Sequence, residues 1–298
     1  MGLKAKKPEV VKTEKPKMLV FGGPGVGKTW ASLDFPQAYY IDTEGGATQP
    51  HYRAKMQKAG VVYFGKDEGS QDFQALITEV KSLATEKHQF KTLIIDSFSK
   101  LYNLARAKAE ATGGSDYGRD KKEANKPTRQ LMYWIEKLDM NVLLICHTVP
   151  KWERAEGQLY TNGNTFDGWE KLEYDLSLSL EITFNEKEGK RVAKVKKTRL
   201  EGFPYGEAFT WSYDEFSKRA GEKTMLREVE QFKVGAPERV ARVKALLEAV
   251  KVDADWEQKA LDKHNVETWD EMEAGTLEKA IAFLESKLPN SAEKKEAK

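Results

Sequence analysis

The stretch that most constrains this chain is Gly22-Gly23-Pro24-Gly25-Val26-Gly27-Lys28-Thr29, which fits G-x-x-x-x-G-K-[ST]. In this P-loop pattern, glycines let successive backbone N–H groups turn inward onto phosphate oxygens. Met18-Leu19-Val20-Phe21 reads as a short buried strand just before it, and Trp30-Ala31-Ser32-Leu33 can open a helix just after it. That order is what the chemistry needs, because the helix adds its positive N-terminal end to the loop amides. A chance glycine-rich turn would not carry the strand and helix on either side. The motif predicts a site for ATP with Mg²⁺. Residues 22–27 and Trp30 would line the cradle, Lys28 would reach the β- and γ-phosphates, and the Thr29 hydroxyl would bind the metal.

Length and composition add bounds. A chain of 298 residues suits one large α/β domain with a small appendage. The net charge of +2 leaves nucleic-acid binding to local basic surface. The single cysteine, Cys146, sits in an apolar run, which reads as a small buried hydrophobe in a reducing cytosol rather than a reactive thiol. No apolar run approaches membrane-spanning length and no signal-peptide core is present, so a soluble, cytoplasmic protein without membrane contact is expected.

Along the chain, residues 1–17 carry scattered lysines with Pro8 and Pro16 and no periodicity. They read as a solvated, disordered leader, with a basic nucleic-acid arm as the competing reading. Ala38–Ile41 and Val61–Phe64 read as strands, and Phe73, Leu76, Ile77, Val80 and Leu83 recur at helical spacing. Thr92-Leu93-Ile94-Ile95-Asp96 is an apolar strand ending in aspartate. Downstream of a P-loop this is the Walker-B pattern, with Asp96 on the Mg²⁺. A helix over Phe98–Ala111 leads to the polar, basic stretch Thr112–Lys122, expected to be flexible, and a further helix places Leu131, Trp134, Ile135 and Leu138 on one face. Asn141–Cys146 is another buried strand and delivers His147 at its end. Thr148–Lys171 is long, polar and glycine-punctuated, a loop in which Lys151, Trp152, Arg154 and Tyr160 give the charge-plus-aromatic mix of single-strand grooves; a solvated excursion is the alternative.

Beyond Leu176 the period changes to two over Leu176–Phe184, Val192–Thr198 and Phe209–Tyr213. This predicts an antiparallel meander extending a mainly parallel sheet at one edge. From about Lys223, Pro237 starts one helix, Trp256 and Leu261 suit a second, and Thr276 can cap a third, making a small bundle. The expected organisation is a leader over 1–17, an ATPase core over 18–222, a helical domain over 223–288 and a charged tail over 289–298.

In an open α/β sheet, ligands lie beyond the carboxyl ends of the strands. Glu44, in Ile41-Asp42-Thr43-Glu44-Gly45, would project there together with Asp96 and His147 if their strands are central. On the P-loop, this strand turn, Ile94-Ile95-Asp96-Ser97 and the strand ending in His147, the chain resembles the RecA-like recombinase and helicase branch of P-loop ATPases from about Met18 to Tyr213. The resemblance implies a RecA-like α/β core with Glu44 as catalytic glutamate and His147 as the sensor of the γ-phosphate that relays to a DNA-binding loop. It places the two DNA-binding loops at Gly113–Pro127 and Thr148–Lys171, with Tyr117, Arg119, Lys121, Lys122, Lys151, Trp152 and Arg154 as candidate contacts. Lys197-Thr198-Arg199 looks like the family's paired basic fingers, Lys197 and Arg199 reaching a neighbouring subunit's nucleotide; strand-end basics facing solvent is the plain alternative.

A core this short is similar to phage-encoded single-strand annealing ATPases and to the phage nucleotide-binding protein group, Phe35-Pro36 included. This implies single-stranded DNA and a homo-oligomer, ring or filament, as partners, with a single-strand-binding protein on the C-terminal helices. Competing readings are a DnaB-like helicase motor or loader and a nucleotide-gated binding module with little hydrolysis. A small-molecule kinase is disfavoured by the lack of an Arg-rich lid segment.

Overall fold

The computed structural model describes residues 5, 7, 8, 12–113, 119–155, 158–250, 252, 253 and 255–288, with the backbone alone for 112, 113, 119–124 and 155. Lys17–Gly22 (β1) runs through the P-loop into a helix of one turn and a half, Lys28–Ser32 (α1). Ala38–Asp42 (β2), Pro50–Ala59 (α2) and Val62–Phe64 (β3) follow. Next is Phe73–Thr85 (α3), whose N-cap Asp72 accepts the Ala75 N–H at 2.9 Å. Then come Thr92–Asp96 (β4), Phe98–Gly113 (α4), Arg119–Lys137 (α5) and Asn141–Cys146 (β5). An antiparallel pair, Thr148–Ala155 (β6) and Gln158–Phe166 (β7), precedes the single turn Leu172–Asp175 (α6). Leu178–Asn185 (β8), Lys190–Thr198 (β9) and Ala208–Thr210 (β10) are followed by Tyr213–Ala220 (α7) and Glu222–Leu226 (α8). Pro237–Ala249 (α9), Trp256–Lys263 (α10) and Ala274–Glu285 (α11) end the described chain.

Among the described residues eight strands form one sheet in the order β3-β2-β4-β5-β1-β8-β9-β10, and β6 with β7 forms a separate two-stranded sheet. From β3 to β8 all pairs are parallel, and β9 runs against both of its neighbours. The core is thus a mainly parallel sheet extended at one edge by the antiparallel meander. The reason lies in the apolar runs. Every residue of β2, β4 and β5 is buried, as a strand covered on both faces requires. Alternate side chains then feed two cores. Leu19, Phe21, Ile41, Leu93, Ile95, Val142 and Leu144 pack under α3, α4 and α5. Met18, Val20, Tyr40, Ile94, Leu143 and Ile145 pack with Phe35, the β8–β10 meander, α7 and α8 on the other face.

The C-terminal helices have their own core of Val240, Val243, Leu246, Leu261, Trp269, Met272, Leu277 and Leu284. It leans on the sheet domain through Tyr133, which touches both cores, and through Lys81 to Glu271 at 2.9 Å. Thr276 lies inside α11, and Glu273 occupies the N-cap position without a side-chain cap bond. Among the described residues no helix is long and apolar enough to cross a membrane.

Three segments depart from the sequence reading. Within the expected leader, Lys12–Glu14 are exposed, Lys12 pairing with Asp139 and Glu230, but Lys15 and Pro16 are buried, and Lys15 donates to the Arg227 carbonyl at 2.6 Å, where burial pulls its ammonium down to about 8. Contacts made by partners more than 100 residues away carry no local signal. Arg119–Lys122, expected in a flexible stretch, open α5. Thr148–Lys171, expected as a loop, contains the β6–β7 ladder. Gln158–Asn164 is exposed on both faces, so no apolar alternation marked it as strand.

Leu144 is fully buried in β5, between β4 and β1. Leu144→Ala should cost about 2–5 kcal/mol in urea unfolding. Trp152→Ala, on the 62% exposed Trp152, should stay within about 0.5 kcal/mol.

Candidate functional site

The parallel register brings the carboxyl ends of four strands to one edge. Phe21 pairs with Cys146, Asp42 with Asp96 and Asp96 with Ile145, so the residues that follow β1, β2, β4 and β5 emerge side by side. The P-loop needs its glycines here for specific reasons. A Cβ on Gly22 would sit 2.2 Å from the Ile182 carbonyl oxygen of the neighbouring β8, and Gly27 holds φ at +88°. The helix after the loop has only five residues, so the loop amides rather than a long macrodipole carry the cradle. Gly22, Gly23, Pro24, Gly25 and Val26 also wall a recess shared with Thr148 and Asn164 of the β6–β7 hairpin.

Five predicted residues converge. Lys28 Nζ donates to the Gly22 and Gly23 carbonyls at 2.9 and 2.8 Å. Desolvation lowers its pKa, and the Asp96 and Glu44 carboxylates oppose that shift, which puts both within electrostatic reach of the ammonium. Thr29 Oγ1 donates to Asp96 Oδ2 at 2.5 Å, and the same oxygen accepts the Tyr40 hydroxyl at 3.0 Å. Burial still pushes the Asp96 carboxyl up to about 6 against those two hydrogen bonds. Glu44 Oε1 lies 2.5 Å from His147 Nε2 and also accepts the Ser97 hydroxyl.

The supports of this cluster escaped the sequence reading. Asp42 accepts the N–H groups of Glu44 and Gly45 on Oδ1 and that of Ala47 on Oδ2, so the turn presenting Glu44 is built on a buried carboxylate. Thr43 ties the turn to β4, donating to the Ser97 carbonyl and accepting the Ser97 N–H, both at 2.9 Å. Ser99 in the first turn of α4 accepts the His147 N–H at 2.8 Å and donates to the Asp167 carbonyl just past β7. The signal for Asp42 was present, as Asx turns favour Asp before Thr-Glu-Gly; Ser97 and Ser99 carried none. Cys146 is a buried hydrophobe whose thiol burial pushes up to about 12.

Among the described residues no group of three or more His, Cys, Asp or Glu side chains could hold a metal alone. The oxygens of Thr29 and Asp96 fit Mg²⁺, which binds few protein ligands and takes the rest from water and phosphate. Bound there, it would neutralise charge on the β- and γ-oxygens.

Other predicted residues lie elsewhere. Lys197 and Arg199 sit at the opposite end of the sheet from the P-loop, since Thr198 pairs with Leu178 beside Met18. Lys197 donates to the Leu176 carbonyl and Arg199 to that of Tyr174, the latter at 2.6 Å. Trp30 flanks the P-loop against His51 and Tyr52. Lys151, Trp152 and Arg154 are exposed on β6, Lys151 paired with Glu153 at 2.6 Å. Tyr117 and the side chains of Arg119, Lys121 and Lys122 lie outside the described residues.

The profile of the AAA domain family matches residues 14–200. Solved structures with a similar chain path include the RadB recombinase, at 16% identity, covering 74% of this chain and 92% of that one with a TM-score of 0.43. A KaiC-like protein from the hyperthermophilic archaeon Pyrococcus horikoshii is 16% identical, with coverages of 66% and 85% and a TM-score of 0.36. An ATPase from the type III secretion system of pathogenic bacteria is 14% identical, with coverages of 93% and 82% and a TM-score of 0.40. No curated protein matches the sequence. The family match takes in Lys28, Thr29, Glu44, Asp96 and His147, and the chain belongs to the AAA domain family, with the site of a P-loop ATPase.

Proposed function

We propose that this chain is an ATP-dependent single-stranded-DNA-binding protein that oligomerises and promotes strand annealing or recombination. One observation carries the reading. His147, whose ring lies 2.5 Å from Glu44, is also the residue that joins β5 to the exposed β6–β7 hairpin. A group that contacts the terminal phosphate through Glu44 and His147 would therefore act on the root of a hairpin bearing Lys151, Trp152, Arg154 and Tyr160. Exposed aromatics with cations are what an unpaired strand uses, through base stacking and backbone charge. The Ser99 link between the His147 and Asp167 backbones ties both ends of the hairpin to the same helix turn.

In this reading Glu44 orients and deprotonates the attacking water, Lys28 and the metal held by Thr29 and Asp96 stabilise the developing phosphate charge, and His147 passes occupancy to the hairpin. Lys197 and Arg199 would reach the nucleotide of an adjacent subunit, and the C-terminal helices would dock a single-strand-binding protein. Nucleotide binding favours the DNA-competent assembly and hydrolysis releases it.

Lys28→Ala should abolish the rise in melting temperature that MgATP gives the parent protein. Equal stabilisation of the two proteins would remove the P-loop from the account. Glu44→Gln should lower ATP turnover about 100-fold or more while keeping oligo-dT bound in ATP. Trp152→Ala should weaken oligo-dT binding by about 1–3 kcal/mol. Turnover indifferent to oligo-dT, with no ATP-dependent gel shift, would overturn the proposal. Directional duplex unwinding would instead identify a helicase motor.

A further inference from the structure

A second cavity, of about 280 Å³, opens on the other flank of the P-loop. Gly27, Lys28 and Thr29 form one side, Trp30, His51 and Tyr52 a second, and Arg191 of β9 closes it. The three rings pack on one another, His51 on Tyr52 at 4.6 Å and Trp30 edge-on to Tyr52 at 5.5 Å between centroids. Arg191 comes from the far side of the sheet edge, yet its backbone is fixed. It pairs with Phe184 in the β8–β9 ladder, and its carbonyl accepts the Trp211 N–H at 2.9 Å.

The Arg191 side chain lies directly on the loop. A Cβ on Gly27 would fall 1.8 Å from its Nε and 2.9 Å from its Cζ, so any residue other than glycine there would expel it. Its Nε is buried and has no hydrogen-bond partner. A buried guanidinium donor without an acceptor is costly, and Lys28 lines the same cavity. An anion in the cavity would satisfy that donor. The cavity does not reach Glu44, Asp96 or His147, which mark the terminal-phosphate end; it adjoins the aromatic cluster instead.

We propose that Arg191 binds, within its own subunit, the phosphate nearest the nucleoside, completing the P-loop cradle from the edge of the sheet. The proposal rests on the P-loop being a nucleoside triphosphate site. It adds a residue that holds the phosphate common to the di- and triphosphate and takes no part in γ-phosphate transfer. The guanidinium fork suits this, since it can span two oxygens of one phosphate while the loop amides hold the others. Arg191 is thereby distinct from Lys197 and Arg199, which occupy the other end of the same strand.

Titration calorimetry with ADP and with ATP-γ-S, together with steady-state ATPase kinetics, tests this on the full chain. Arg191→Ala should weaken both nucleotides alike, by about 10–100-fold, the range for hydrogen bonds to a charged group. It should raise KM by a similar factor and leave kcat within about twofold, as loss of uniform binding does. Arg191→Lys keeps the charge without the fork and should fall between; it also serves if the alanine variant does not fold. Unchanged ADP affinity in both variants would overturn the proposal. So would a loss confined to ATP-γ-S, which would put Arg191 on the terminal phosphate, or a fall in kcat at constant KM. Failure of the parent protein to bind either nucleotide would sink the P-loop reading and this proposal with it, whereas normal parent binding with unaffected variants would sink this proposal alone.

Discussion

The site depends on one buried carboxylate. Asp96 ends a strand enclosed on both faces, where a lone negative charge is strongly disfavoured. Two hydroxyl donors, Thr29 and Tyr40, converge on its Oδ2, and burial still outweighs them enough to raise its pKa. Cationic partners on the P-loop side are what such a group needs. Lys28 provides one, and a divalent ion shared with Thr29 is the other that the chemistry admits. The bond from Thr29 to Asp96 also fixes the first turn of α1 against the end of β4, so the P-loop and Asp96 are held in one geometry.

A second layer of polar contacts turns strand ends into a working edge. Asp42 folds the Glu44 turn by accepting three backbone N–H groups, and Thr43 stitches that turn to Ser97. Ser99 then joins the end of β5 to the end of β7. Each link is short and leaves few polar groups unsatisfied, and such buried networks rigidify what they hold. The β6–β7 hairpin lacks that support over most of its length. It stands on its own ladder with Trp152 and Leu159 in solvent, fixed to the core at its root by Phe166. A rigid phosphate edge and a weakly packed hairpin meeting at His147 is an arrangement through which occupancy at one could bias the other.

Legibility in the sequence followed the range of the interaction. Lys28, Thr29, Glu44, Asp96 and His147 could be found because each belongs to a local pattern, a glycine loop or an apolar run ending in a polar residue. The meander was visible because Leu178, Leu180 and Ile182 alternate with polar residues along one strand. The hairpin escaped because both faces of Gln158–Asn164 are exposed, so its sequence carries no apolar alternation. The ordered start at Lys12–Lys17 escaped because its partners are Asp139, Arg227 and Glu230. Arg191 gave no sign at all, being one basic residue among many on a strand whose importance comes from a contact 164 positions away, at Gly27.

The sequence by itself determined the fold class, the phosphate loop and the polar residues at the strand ends. Backbone periodicity and glycine geometry are short-range physics that a linear text carries. Tertiary structure alone decided which strands lie side by side, and so which of those residues meet at one edge of the sheet. It placed Arg191 on the P-loop and Lys197 with Arg199 at the far end of the same strand. Strand order and register are set by packing two cores around one sheet, a global balance that no local stretch encodes.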